Sequence, residues 1–249
     1  MLPILLYPIT IPVIIAGVRG TAALFEAVPA DDLAHMWLAL LAMGLFAVAP
    51  AVVAQTPVES TMGLVQKIFY YHVPSAMAMF VAAAICGVAS AVYLFRARPG
   101  ADRLAAAAAE LTVVFGLIVL VTGPLWARKS WGVWWQWDAR LTSTLLMWMI
   151  FVACLMVRRF GGAGAEKLSA AMALFGMANV PFVYISVNIW RTLHPTTAVI
   201  PKLPGGMRGP FWFCVLSFML LFGLLLALRL KLGERRAGVE ELYLLADHE

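Results

Sequence analysis

The feature that most constrains this sequence is a series of apolar runs, each about twenty residues long, spread over nearly its whole length. The hydrocarbon core of a bilayer is about 30 Å thick, and about 20 helical residues cross it. No water reaches the backbone there, so only helices and closed barrels can span it. A barrel would show short segments of alternating hydrophobicity, and this sequence shows none. Composition agrees: 63% of the residues are hydrophobic and 12% are charged, about half the charge of an ordinary soluble domain. The expected fold is all-α, a polytopic membrane helical bundle with six main transmembrane helices. The spans fall at about 35–54, 74–95, 105–126, 141–157, 168–189 and 211–230. Residues 35–236 form one membrane domain. Residues 1–34 are an apolar extension, "LPILLYPITIPVIIAG" in part, broken by Pro3, Pro8 and Pro12. It lacks the basic start and small-residue cleavage site of a removable signal peptide. Residues 237–249 read as a cytoplasmic tail with a short surface helix.

Loop charges set the orientation. Arg96, Arg98, Arg103, Arg158, Arg159, Lys167, Arg229, Lys231, Arg235 and Arg236 fall on one side of the six spans. Lys67, Arg128, Lys129, Arg140, Arg191, Lys202 and Arg208 fall on the other. The positive-inside rule assigns the richer side to the cytoplasm. On the outer side only Glu59 and Asp138 oppose the cations, so that face is net positive and suits an anionic ligand or anionic lipid headgroups. The basic residues form no nucleic-acid motif or patch, so nucleic acid is not an expected partner. Cys86, Cys154 and Cys214 each lie within an apolar run and form no C-x-x-C pair. Thiol redox work, zinc binding and covalent haem attachment are therefore not expected.

Between the third and fourth spans stands "WGVWWQWDARLTS", with four of the nine tryptophans in seven residues. On a helix, Trp131, Trp134, Trp135 and Asp138 would share one face and Trp137 would point elsewhere. Gly132 weakens a helix there. Asp138 and Arg140, two apart, would not face each other on one. Interfacial tryptophan belts are common, but four rings beside a carboxylate also make a shelf for a large planar ligand.

Two of the four histidines flank the same outer side. His72 lies in "FYYHVPSA", where Pro74 suits a first helical turn and so sets His72 just before the second span. His194 lies in "RTLHPTT", where Pro195 ends the fifth span at about that residue. His35 and His248 read as solvated or interfacial. Two imidazoles, an indole shelf and an excess of cations are what haem asks for: axial nitrogen ligands, aromatic stacking, and partners for two propionates.

These segments resemble a known family. "WGVWWQWDARLTS" is similar to the WWD signature of haem-handling proteins of cytochrome c maturation, and its "WDARLTS" ending resembles the CcmC branch. "FYYHVPSA" and "NVPFVYISVNIWRTLHP" resemble the CcmC segments that carry two histidines. The resemblance covers roughly residues 35–236. It implies that His72 and His194 are axial ligands of the iron of non-covalent haem b. It also implies that Trp131, Trp134, Trp135, Trp137 and Asp138 present the haem from the outer loop, residues 127–140. Arg128, Lys129 and Arg140 are the candidate propionate partners. The implied role is non-enzymatic: haem is held at the periplasmic face of the bacterial inner membrane and delivered to the haem chaperone CcmE. The implied associates are the ABC-type subunits CcmA and CcmB and the small protein CcmD. The N-terminal extension instead resembles the C-terminal part of the CcmB permease.

Two other classes compete. A bis-His b-type membrane cytochrome in electron transfer would also place two histidines on haem, usually buried between facing helices. A permease for polar solutes would carry more ionisable chemistry inside its spans than Glu110, which sits near the inner rim. Asn179 and Asn188 in the fifth span read as interhelical glue.

Overall fold

The computed structural model describes residues 30–60 and 62–246. Residues 1–29 lie outside the described part, as does His248. Six long helices follow: α1, Ala30–Ala54; α2, Phe69–Arg96; α3, Pro99–Ser130; α4, Ala139–Phe160; α5, Ala165–Ile189; and α6, Gly205–Ala246. Two short 3₁₀ turns, Leu64–Ile68 and Thr197–Val199, sit in the connections before α2 and α6. Each helix contains a stretch long and apolar enough to cross a membrane. The six expected spans are present in order, each inside a longer helix. The tail is not a separate helix: α6 continues without a break to Ala246. At about 1.5 Å per residue it outruns the bilayer core, so the mixed sequence after residue 236 simply prolongs it.

The connections differ at the two ends. On one side the turns are tight. Ala97 takes the left-handed conformation (φ 50°) between α2 and α3, and Pro99 then starts α3. Gly162 and Gly164 at positive φ reverse the chain between α4 and α5. On the other side run the long loops, residues 55–68, 131–138 and 190–204. Every long connection, and both 3₁₀ turns, therefore gathers at one end of the bundle.

Helix α2 is central and packs on α3, α5 and α6, while α1 lies against α6. The seam of α2 with α3 is built of small residues, Ala78, Ala82, Ala83 and Cys86 against Ala105, Ala108 and Ala109. Small side chains let two backbones come close where lipid offers no hydrophobic drive for helices to associate. At Gly116 the approach is obligatory, since a Cβ there would lie 2.6 Å from the Trp148 ring. That indole donates its N–H to the Val113 carbonyl at 3.0 Å and fixes α4 on α3. Asn179 donates to the Ser143 carbonyl across α5 and α4 at 2.9 Å, as interhelical glue should. Asn188 does not act between helices: it pairs with Thr197 in the loop beyond its own helix, at 3.2 Å.

Two ion pairs tie helices together toward the tight-turn end. Arg158 of α4 donates to Asp102 of α3 at 3.1 Å and to the Ser169 hydroxyl of α5, also at 3.1 Å. Glu110 is not merely a wet rim residue: it forms an ion pair with Arg229 and ties α3 to α6. The three cysteines are free and buried.

Candidate functional site

Two adjoining cavities open at the long-loop end, one of about 280 Å³ and one of about 60 Å³. His72, Gly123, Arg140 and His194 line both and form their common wall. The larger cavity is otherwise mostly apolar, with Phe69, Trp126, Tyr184 and Leu203 in its lining. Trp131 and Trp135 line the smaller.

His72 is in the first turns of α2, not before the helix. The 3₁₀ turn Leu64–Ile68 runs directly into Phe69, so helical backbone begins well ahead of Pro74. The ring lies against α3 at Gly123, where a Cβ would come within 3.3 Å of its Cε1. Nδ1 is 2.9 Å from the Thr122 hydroxyl. That hydroxyl has one proton, which it donates to the Ile118 carbonyl at 2.6 Å. Thr122 must then accept from His72 Nδ1–H, and the bare lone pair sits on Nε2.

His194 lies in the loop beyond α5, whose last residue is Ile189. The helix ends where the expected 168–189 span does, five residues before the boundary that Pro195 suggested. The His194 N–H, which a continuing helix would give to a backbone carbonyl, goes instead to the Thr192 hydroxyl at 3.0 Å. Its Nδ1 is 2.9 Å from the Pro195 carbonyl. A carbonyl only accepts, so Nδ1 carries the proton here too and Nε2 is bare. Burial pushes the His194 imidazole down to about 4; the Arg140 charge acts in the same sense, against the Pro195 bond and Asp138. Both rings are half-buried, and both border the shared cavity wall.

The tryptophan segment is not helical. Residues 131–138 form turns and extended chain, with Gly132 at φ 78°. The expected one-faced shelf is therefore split. Trp131 packs edge-on against His194, with ring centres 6.4 Å apart, and against Trp126 at 5.1 Å. Trp135 joins it in the cavity wall, its buried indole N–H unpartnered. Trp134 and Trp137 point outward, 57% and 75% exposed. Asp138 is the N-cap of α4: one carboxylate oxygen accepts from Leu141 N–H at 2.8 Å, and the other accepts from the Thr192 hydroxyl.

Of the three candidate cations, only Arg140 lines the cavities. Arg128 donates to the Gly132 carbonyl and sits 5.9 Å over the Trp134 ring, and Lys129 is exposed. Sequence reasoning missed Thr122, Gly123, Trp126, Tyr184 and Thr192. The Gly123–Pro124 pair inside an apolar run was a usable signal, because glycine there marks close approach by another group. Among the described residues no group of three or more His, Cys, Asp or Glu could hold a metal ion. A metal taken by the two Nε2 atoms would have to bring its remaining ligands with it.

The family model of CcmC, described as heme exporter protein C, matches residues 21–242. The heme exporter protein C of Escherichia coli K12 is 34% identical over 200 residues, covering 76% of this chain and 80% of that protein. The protein of the same name from Bradyrhizobium diazoefficiens is 32% identical over 192 residues, covering 75% and 73%. A putative ccmC-like mitochondrial cytochrome c biosynthesis protein of Marchantia polymorpha is 29% identical over 178 residues, covering 70% and 76%. A family match over most of the chain, relatives above 30% identity, and six apolar helices lead to one conclusion: this multi-pass membrane protein belongs to the heme exporter protein C, or CcmC, family.

Proposed function

We propose that the chain takes haem b as its cargo, holds it between His72 and His194 at the periplasmic face of the inner membrane, and hands it to a haem chaperone during c-type cytochrome biogenesis. The observation that carries this reading is that His72 and His194 line the same two cavities, each with its Nδ1 engaged by a neighbour so that Nε2 is left free to ligate. Haem supplies an iron that takes imidazole nitrogen axially, a porphyrin that provides the other metal ligands, and two carboxylates. The donor set fits: two imidazoles in a fixed tautomer, apolar and indole walls, and a guanidinium, Arg140, between them. Arg140 and the Trp135 N–H would hold carboxylate oxygens. Trp131 and Trp135 would wall the ligand, while the exposed Trp134 and Trp137, with Arg128 over the former, would meet the chaperone. Residues 35–236 would act as one haem-handling domain in a complex with CcmA, CcmB, CcmD and CcmE. The relatives' shared name, heme exporter, supports the same cargo.

The test is to purify the native chain and the His72→Ala, His194→Ala and double variants from haem-replete membranes. Each single variant should lose its share of the axial ligation spectrum, and the double variant should lose haem. Unchanged haem content and spectrum in the double variant would rule the assignment out. A permanently held haem, never released to an added acceptor and reduced by quinol, would instead mark a b-type cytochrome.

A further inference from the structure

Between the tryptophan segment and the histidine loop runs a polar clasp that nothing in the axial-ligand reading requires. Asp138 uses both carboxylate oxygens. One caps α4 through Leu141 N–H at 2.8 Å, and the other accepts from the Thr192 hydroxyl. Thr192, its proton spent on Asp138, accepts from the His194 backbone N–H at 3.0 Å. The chain of bonds therefore runs from the first turn of α4 to the backbone of His194. Charged acceptors make the stronger hydrogen bonds, so the two links to the Asp138 carboxylate are the firmest in it. His194 has no helix to hold it, since α5 ends at Ile189. Without the clasp, what remains is the Pro195 restriction and the ring's contacts with the Pro195 carbonyl and Trp131.

We infer that Asp138 is a positioning residue: through Thr192 it fixes the backbone of His194 against α4 and so sets where this imidazole stands in the cavity. The inference rests on the reading of His194 as a haem ligand. It gives the acidic residue of the tryptophan segment a definite task, distinct from contact with cargo or chaperone. It also explains the pairing of residue types. A carboxylate can cap a helix and accept a second bond at once, whereas serine at the same cap has no second oxygen to offer.

Thr192→Val is the decisive variant, because it keeps the α4 cap and the side-chain shape while removing both clasp bonds. Thr192→Ser restores the hydroxyl. Asp138→Asn keeps a capping oxygen but turns a donor toward Thr192. Two readouts apply in the full-length protein. In the haem-free chain, hydrogen exchange of a peptide over residues 190–196 should be about tenfold faster in Thr192→Val and near native in Thr192→Ser. In the haem-loaded chain, Thr192→Val should bind haem about 10-fold more weakly, the lower end of what losing an outer-shell partner costs. Its axial-ligand absorption bands and midpoint potential should shift as well, with Asp138→Asn between it and the native chain. Exchange, affinity, spectrum and potential all unmoved in Thr192→Val would overturn the proposal alone, provided haem content depends on His194. Haem content that survives His194→Ala would overturn the ligand reading and this proposal together.

Discussion

Gly123→Ala should leave stability almost unchanged while weakening binding. In the middle of a helix, alanine is favoured over glycine by about 1 kcal/mol. Against that, the new Cβ would stand 3.3 Å from His72 Cε1 and 4.0 Å from Nδ1. Carbon atoms pack best at about 3.5–4.0 Å, so the ring must retreat by a few tenths of an ångström. It is not free to do so without loss, because Nδ1 is held at 2.9 Å by Thr122. Adding a methyl to a packed site costs about 1–3 kcal/mol, less where a neighbour can yield. The two terms nearly cancel, and the haem-free variant should unfold within about 1 kcal/mol of the native chain. Ligation tolerates less, since that retreat uses up much of the roughly 0.5 Å within which ligating groups must hold. A loss of about tenfold in haem affinity, or 1.4 kcal/mol, is the expected result. Gly44→Ala is the control: nothing lies within 4 Å of its would-be Cβ, so only the helical gain remains. The assays are thermal unfolding in one detergent and haem titration followed by absorbance. Native affinity and spectrum in Gly123→Ala would refute the claim that α3 sets the His72 ring.

Three further outcomes follow from the same geometry. Thr122→Val should leave the helices intact yet weaken haem binding and alter the axial-ligand spectrum, because nothing then fixes the proton on Nδ1 of His72; Thr122→Ser should behave as native, and equal spectra for the two variants would contradict the tautomer argument. His194 is held at about 4 in the folded chain and returns to about 6.5 when unfolded, so the unfolded state binds more protons between those values. Its contribution to stability is complete above about pH 6.5 and is lost as the pH falls toward 4; unfolding of the native chain and His194→Gln from pH 4.5 to 7.5 should show the steeper slope in the native chain. Asp102→Asn should lower stability by about 1–3 kcal/mol, because it takes the countercharge from a guanidinium whose side chain is only 15% exposed and leaves it the Ser169 hydroxyl, without changing the spectrum of haem held at the far end of the bundle.

The number and order of the helices were legible because length in lipid is a hard requirement. Their ends were legible at Ala54 and Ile189 but not throughout, because apolarity stops at the membrane while hydrogen bonding need not. Helix α6 runs on through "LGERRAGVEELYLLA", where Leu, Glu, Arg and Ala outnumber Gly233 and Gly238 and no proline halts it. The start of α2 was hidden by Pro74, which looked like a first-turn residue but sits inside a helix already begun by the 3₁₀ turn. In the tryptophan segment the three- and four-residue spacing imitates a helix. The local chemistry says otherwise: Gly132 takes positive φ, and Asp138 is a capping residue with the next helix directly behind it. The histidines could be named from sequence, but not what orients them. Thr122 lies fifty residues from His72, and Asp138 is fifty-four from Thr192; only the fold makes them neighbours.

The two imidazoles are held by different means, and the difference bears on how such a site could load and release. His72 rides on the central helix, with its ring against Gly123 and its proton fixed by a neighbouring helix. Moving it means moving α2 against α3, the seam of close-packed small residues. His194 stands on a loop with Thr192 and Pro195 as its polar contacts, and Trp131 meets its ring from the tryptophan segment. Shifting it costs a few hydrogen bonds, each worth about 0.5–1.5 kcal/mol net. Any change in the distance between the two Nε2 atoms should therefore come almost wholly from the His194 side. Because Asp138 and Trp131 tie that side to the segment carrying the exposed Trp134 and Trp137, a partner gripping those rings would pull on the more loosely held imidazole first.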